Sequence, residues 1–372
     1  MEIIHLILGK ANPERMNGVN KVVHQLATQQ HLFGEQVAVW GITSDTSVNY
    51  NERNFETRLF LKQKNPFAFS SQLKEALLNK KGKAIFHLHG GWIPVYYRLA
   101  RFLYHNKIEF VITPHGAYNT IAMRKNFWLK KIYFQFFERK ILNRASSIHC
   151  IGKSERNGLQ EFYRTRKTIL LPYGFELKST IELKKRDEDH FVLGFIGRLD
   201  IYTKGLDTLL LAFKKFHRKM PQSQLWIVGD SKEKPALEKK IDALKLSHAV
   251  ILYGSKFGSE KEQLLQAMDV FVHPSRNEGL PLSVIEAASF GKPCIVTDAT
   301  NIGSLVTKYN AGQTIYRQSS NQLEAAMNAV VAGWTSPSKF VELQQNAIRM
   351  IQENYNWNTL LQQFHQQLYK LQ

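Results

Sequence analysis

The chain has 372 residues, 44% hydrophobic and 22% charged, with 50 Lys and Arg against 31 Asp and Glu. Such a composition supplies a packed core and excludes a disordered polymer. Two cysteines, Cys150 and Cys294, exclude a disulfide framework or a zinc ribbon and point to a reducing compartment. At roughly 100–200 residues per domain the length calls for two domains, and no apolar run approaches the roughly 20 residues that cross a bilayer.

The opening MEIIHLILGKANPERMNG has an acid at Glu2 and no basic leader, and reads as a first buried strand, not a signal peptide. Strands are expected at 2–8, 36–43, 84–89, 110–113, 146–151 and 168–171. Between them, Val19, Val22, Val23 and Leu26 follow the i, i+3, i+4, i+7 rule of an amphipathic helix. The most basic stretch, Met123 to Arg144, reads as one helix with Phe127, Trp128, Phe134, Phe137 and Ile141 as its apolar members. Pro172-Tyr173-Gly174 and the charged run up to His190 read as a linker. Alternation then resumes, with strands at 191–196, 224–228, 250–253, 270–273 and 293–297, helices between them, and helices closing the chain. Strand and helix in turn, with apolar strands, is the pattern of two parallel sheets covered on both faces. The boundaries read 1–172, a linker at 173–190, 191–355, and a final helix at 356–372.

Charge is uneven. Residues 1–180 hold 27 Lys and Arg against 12 Asp and Glu, a net of +15, whereas 181–372 hold 23 against 19, a net of +4. An excess of this size asks for an anionic partner. Nucleic acid fits poorly, because no zinc-finger spacing, RNP-type aromatic motif or basic low-complexity tail is present. The basic and aromatic composition of 123–144 suits an anionic membrane surface, or else a domain helix with solvated lysines.

In open parallel sheets ligands bind beyond the carboxyl ends of strands, beside helix starts. One strand runs into Gly197-Arg198-Leu199-Asp200-Ile201-Tyr202-Thr203-Lys204-Gly205, where a glycine and two cations suit a diphosphate, Arg198 as a planar fork and Lys204 as a point charge. A later strand runs into Pro274-Ser275-Arg276-Asn277-Glu278-Gly279-Leu280-Pro281 and a helix carrying Glu286. Two acids around an anion-binding helix start make sense for a ligand that also bears hydroxyls.

GRLDIYTKGLDTLL with HPSRNEGLPLSVIEAASFGKPCIVTD closely resembles the family 4 retaining glycosyltransferases of the GT-B fold, the second stretch carrying their E-x7-E motif as Glu278 and Glu286. NGVNKVVHQLA, TPHGAYNTIAMRKNFWLKKIYFQFFERKILNRASSIHC, LPYG and NWNTLLQQFHQQLYKL resemble further stretches of that family. The resemblance implies two Rossmann-like doubly wound domains facing each other across a cleft, with the final helix returning to the first. It implies that Arg198 and Lys204 hold a nucleotide diphosphate, that Glu286 binds the ribose, and that Glu278, Gly279 and Leu280 contact the donor sugar. His115 in TPHG then faces that sugar, with His87 and His89 as rival histidines. Asn17 stands before Gly18 where the family has paired glycines, which alters the phosphate contact expected of Asn17 and Gly18. No cofactor or metal is expected, since two fixed cations can serve the leaving diphosphate. The resemblance further implies a nucleotide-diphosphate sugar donor, a glycan or lipid-linked acceptor in cell-surface polysaccharide or lipopolysaccharide assembly, and a cytoplasmic protein peripheral on the inner membrane face. Alternatives left open are a sugar-nucleotide epimerase or phosphorylase of similar architecture, and a basic nucleic-acid-binding protein.

Overall fold

The computed structural model describes residues 1–12, 18–48, 50–124, 126–176, 183, 190–279 and 281–371. Contacts divide the chain into two units, Met1–Gly174 with Trp357–Gln372, and Phe175–Asn356.

Unit one is a seven-stranded sheet of β1 (Glu2–Leu8), β2 (Val37–Thr43), β3 (Glu56–Leu61), β4 (Ala84–His89), β5 (Phe110–Thr113), β6 (Ser147–Cys150) and β7 (Thr168–Leu170). All pairings are parallel, in the order β3-β2-β1-β4-β5-β6-β7. Strands β2, β4, β5 and β6 are buried along their whole length, as their apolar runs require when helices cover both faces. Trp40 of β2 meets Phe86 of β4 edge-on at 5.4 Å in the core. The closing segment belongs here too: Trp357 fills the space that a Cβ on Gly174 would need, 2.3 Å away.

Unit two repeats the plan with β8 (Phe191–Ile196), β9 (Ser223–Val228), β10 (Val250–Gly254), β11 (Val270–His273), β12 (Cys294–Thr297) and β13 (Gly312–Ile315), ordered β10-β9-β8-β11-β12-β13. Its pairings are parallel as well. In each sheet the strand order reverses once, between β1 and β4 and between β8 and β11. Connections leave such a point in opposite directions, so a crevice opens at the carboxyl edge.

Two strands escape the periodicity. β3 (ETRLFL) is an edge strand with one buried residue, and β13 (GQTI) carries two polar residues at the other sheet's edge. The single helix expected over 123–144 is instead broken into Thr120–Arg124, Phe127–Tyr133, a π-turn at Phe134–Glu138, and Arg139–Arg144. A π-turn adds a residue to the helical circuit and re-aims the side chains that follow. Here Glu138 is buried, where it accepts hydrogen bonds from the Trp92 amide and, at 2.7 Å, the Tyr118 hydroxyl. Tyr173 and Gly174, which the turn signal assigns to the linker, pack within unit one, Tyr173 fully covered. The linker expected at 173–190 lies largely outside the described residues.

One glycine is required where β9 ends. Gly229 has φ +144°, and a Cβ there would come within 1.9 Å of the Gly197 carbonyl oxygen. Gly229→Ala is expected to cost about 3 kcal/mol of stability through backbone strain and displacement of the loop after β8. A urea midpoint equal to that of the wild type would contradict this.

Candidate active site

The two loops singled out in the second half leave neighbouring strands, β8 and β11, at the point where the strand order reverses. Backbone bonds stitch them together. The Arg276 amide and the Ser275 hydroxyl both donate to the Thr203 carbonyl, at 2.8 and 2.9 Å. Gly205, at φ +68°, lies so close that a Cβ would sit 2.1 Å from the Pro274 carbonyl. Arg276 is spent on this framework: its guanidinium grips Asp207 at 2.8 and 3.0 Å and Thr208 at 3.0 Å.

The stitching brings Lys204 onto Glu278, as an ion pair through Oε1. His273 Nε2, at the end of β11, donates to the same oxygen at 2.9 Å. The His273 ring is 1% exposed and lies parallel to Phe195 of β8 at 5.4 Å and to Phe271 at 6.1 Å. Burial alone would raise the Glu278 carboxyl. The hydrogen bond from His273 and the charge of Lys204 overcome it and hold the group at about 2. Burial lowers His273, more than its bond to Glu278 raises it, so the ring donates as a neutral imidazole. The result is an ionised, acceptor-only carboxylate at the carboxyl edge. Asn301, in left-handed conformation at φ +62°, donates to the carbonyls of Glu278 and Gly279 at 2.8 and 2.9 Å and fixes this turn.

The other expected residues are placed as follows. Gly197 follows β8, and its amide donates to the Val228 carbonyl at 3.0 Å. The Arg198 side chain is 67% exposed, with Asp200 3.7 Å away. Glu286, on the helix Leu282–Ser289, pairs with Lys261 of the helix Gly258–Ala267 at 2.5 Å. Gly18 starts the helix Gly18–Leu32 in unit one. Asn17 and Leu280 lie outside the described residues. His273, Lys261 and Asn301 were not found from sequence. His273 ends an apolar strand and looks like one of its members, and no spacing rule links Lys261 to Glu286.

His115 lies in unit one, in the turn after β5. It adopts φ +57°, followed by Gly116 at φ +81°. A left-handed non-glycine residue costs about 1–2 kcal/mol, and the turn is held by the buried Glu155, which accepts from the Gly116 amide at 2.6 Å and the Ile151 amide at 3.2 Å. The ring stacks on Tyr173 at 5.7 Å, and Nε2 meets His89 Nδ1 at 2.8 Å. Burial, reinforced by His149 and His5, pushes the imidazole down to about 3. His87 and His89 sit on β4 with His5 of β1, ring nitrogens of all three within 4.8 Å of one another. A metal would have to displace existing bonds, since all six nitrogens are engaged: His5 with His89 and Gln30, His87 with Tyr369 and Thr113, His89 with His5 and His115.

Unit one also carries a largely apolar groove of about 640 Å³, lined by Phe127, Trp128, Ile132, Phe134, Phe136 and Phe162 together with Lys131, Gln135 and Glu161. Trp128, Ile132 and Phe136 are 71%, 58% and 58% exposed, and Lys131 lies over the Trp128 ring at 5.3 Å. Of the five apolar residues named for this stretch, Phe134 and Ile141 are buried, Phe137 half-buried, and Phe127 and Trp128 face water.

Residues 16–178 match the model of Glycosyltransferase Family 4, and residues 179–349 that of Glycosyl transferases group 1. The chain belongs to the family 4 glycosyltransferases and has the GT-B fold. It is 25% identical to an uncharacterized glycosyltransferase of Methanocaldococcus jannaschii over 47% of this chain and 43% of that one, so the chain spans less than half the length of that relative. It is 26% identical to the UDP-Gal:alpha-D-GlcNAc-diphosphoundecaprenol alpha-1,3-galactosyltransferase of Escherichia coli, over 68% of this chain and 67% of the relative. HepE of Anabaena, solved in complex with UDP and glucose, superposes with a TM-score of 0.73 at 18% identity, over the whole of both chains.

The Glu278 value lies below that of an unfolded glutamate. Its stabilisation is therefore complete above about pH 4.3 and is lost as pH falls through about 2. Removing only the cation leaves a buried charge poorly compensated. Lys204→Met is expected to cost about 3 kcal/mol at pH 7, and Lys204→Met with Glu278→Gln distinctly less. Urea unfolding of both variants checks this, and equal losses would contradict it.

Proposed function

We propose that the protein is a retaining, metal-independent glycosyltransferase that moves a sugar from a nucleotide-diphosphate donor to a glycan or lipid-linked acceptor in cell-surface polysaccharide or lipopolysaccharide assembly. The observation that carries this reading is the ionised Glu278, held by His273 and Lys204 where the strand order reverses. A carboxylate that can only accept hydrogen bonds suits sugar hydroxyls, and the neighbouring cations suit a diphosphate. HepE, solved with UDP and glucose, supports a nucleotide-sugar donor for this chain, and the galactosyltransferase that acts on a diphosphoundecaprenol sugar supports a lipid-linked acceptor.

As the bond from the anomeric carbon to the diphosphate lengthens, negative charge grows on the leaving phosphate. Lys204, already held by Glu278, meets that charge in place, and the exposed guanidinium of Arg198 adds a second positive charge. Their two positive charges take the part a divalent ion would play. Glu278 holds the donor sugar through its hydroxyls, Glu286 the ribose, and His115 contributes from unit one.

The exposed aromatic groove with Lys131 on its wall, and the exposed Arg139 and Lys140 of the segment that follows, fit an anionic membrane surface, with rings entering the headgroup region and the cations facing lipid phosphate. The described helices include none long and apolar enough to cross a membrane, so attachment by this route is at the surface.

Incubation with UDP-, GDP- and ADP-sugars and a lipid-linked acceptor, read by mass and by the anomeric configuration of the product, tests the activity. Arg198→Ala and Lys204→Ala are each expected to lower kcat by about 100-fold, the usual loss for one preorganised donor to a developing charge. EDTA is expected to leave the rate unchanged. Near-wild-type rates in both variants, an inverted product or a strict metal requirement would each remove part of the assignment. Neutralising Lys131, Arg139 and Lys140 together is expected to weaken partitioning to anionic vesicles by about 3 kcal/mol, on the order of 100-fold. Unchanged partitioning would rule out the membrane contact.

A further inference from the structure

A run of hydrogen bonds, buried for most of its length, crosses unit one and ends at His115, with Tyr173 beside it at Thr113 and Glu35 beside it at Gln30. From its far end, His149 Nε2 meets the Leu171 carbonyl at 2.7 Å, and His149 Nδ1 meets Thr113 Oγ1 at 2.8 Å. Thr113 Oγ1 meets His87 Nε2 at 2.6 Å, and His87 Nδ1 meets the Tyr369 hydroxyl at 2.9 Å. Tyr369 takes Gln30 Nε2 at 3.4 Å, and Gln30 Oε1 meets His5 Nε2 at 2.6 Å. His5 Nδ1 meets His89 Nε2 at 2.9 Å, and His89 Nδ1 meets His115 Nε2 at 2.8 Å.

The carbonyl at the far end sets the direction of every link. A peptide oxygen only accepts, so His149 carries its proton on Nε2, and its bare Nδ1 must receive the Thr113 hydroxyl proton. Thr113 has one such proton, so His87 must donate to it from Nε2, and Tyr369 must donate to His87 Nδ1. Tyr369 then accepts from the Gln30 amide group, which turns Gln30 Oε1 toward His5. His5 donates from Nε2, His89 donates to His5, and His115 donates to His89. Reversing Gln30 would require two protons on Thr113. Burial lowers His5 and His149 to about 4 and His87 and His89 well below their ordinary value, so none of these rings supplies an extra proton at neutral pH.

We propose that this chain is a positioning device for His115, fixing it as the Nε2–H tautomer so that Nδ1 offers a lone pair to a hydroxyl of the bound sugar. The role at the sugar rests on the glycosyltransferase reading above, whereas the tautomer does not. Because a carbonyl cannot take up the last proton, the chain can polarise but cannot discharge. His115 therefore orients substrate and does not relay a proton inward. His5, Gln30, His87, His89, Thr113, His149 and Tyr369 act through His115 and are positioning residues.

Histidine ring 15N spectra of the full chain labelled at its 13 histidines test this directly. The His115 signals are assigned by their loss in His115→Gln. The expected result at pH 7.5 is a single neutral tautomer with protonated Nε2 and bare Nδ1. Tyr369→Phe, which removes one oxygen, and Thr113→Val, which removes the hydroxyl, are expected to convert it into a mixture of tautomers, and Thr113→Ser to retain the wild-type spectrum. With transfer activity in hand, Tyr369→Phe is expected to lower kcat several-fold with little change in the donor KM. A His115 that is protonated on Nδ1, is cationic, or is already mixed in the wild type overturns the proposal, even if the variants fail to fold. So does a spectrum that neither Tyr369→Phe nor Thr113→Val alters. The spectrum reads the chain independently of whether any sugar is transferred.

Discussion

Burying a carboxylate without neutralising it is the constraint on which the second unit's chemistry depends. Glu278 would drift toward its neutral form in that environment, and a neutral carboxyl would carry a proton in place of a pure acceptor. His273 and Lys204 prevent this, and each is delivered by a different strand end. Their convergence needs β8 beside β11, Gly205 pressed against the Pro274 carbonyl, and Asn301 clasping the turn. The fold, the loops and the charge state are thus one arrangement seen at three scales.

The two units share a strand order yet use the reversal point differently. In unit two, charge is set against charge at the carboxyl edge of the sheet. In unit one, the strands that meet there, β1 and β4, contribute imidazoles, whose neutral forms tolerate burial at far lower cost than ions do. Lys10, just after β1, is a cation at that edge, and its ammonium is tied to Asp45 and the Ser47 carbonyl at 2.7 Å each. One architecture therefore accommodates a salt-bridged edge and a hydrogen-bonded interior.

Most of the architecture was legible because parallel strands buried on both faces must be apolar. β1, β4, β5, β8 and β11 lie where the runs fall. β3 and β13 were not, since an edge strand with one wet side can carry Glu, Thr, Arg or Gln without penalty. The π-turn at 134–138 was hidden because Phe134-Gln135-Phe136-Phe137-Glu138 holds no proline or glycine to mark it. At the site, Lys204 and Glu278 were each visible from loop composition, but their mutual contact was not, as they stand 74 positions apart. The histidine run was unreadable for the same reason: its members come from β1, β4, β5, β6, an early helix and the closing segment. Sequence spacing marks only what one helix or strand brings together.

Tyr369 gives unit one a dependence on the order of synthesis. The residues of unit two are contiguous and can leave the ribosome as a complete set, whereas the interior of unit one lacks a member until the closing segment emerges. Domains fold largely as units during translation, generally starting with those made first. Of the two sheets, the one made first is therefore the last to be completed, and His87 Nδ1 lacks its tyrosine partner while the other unit takes shape.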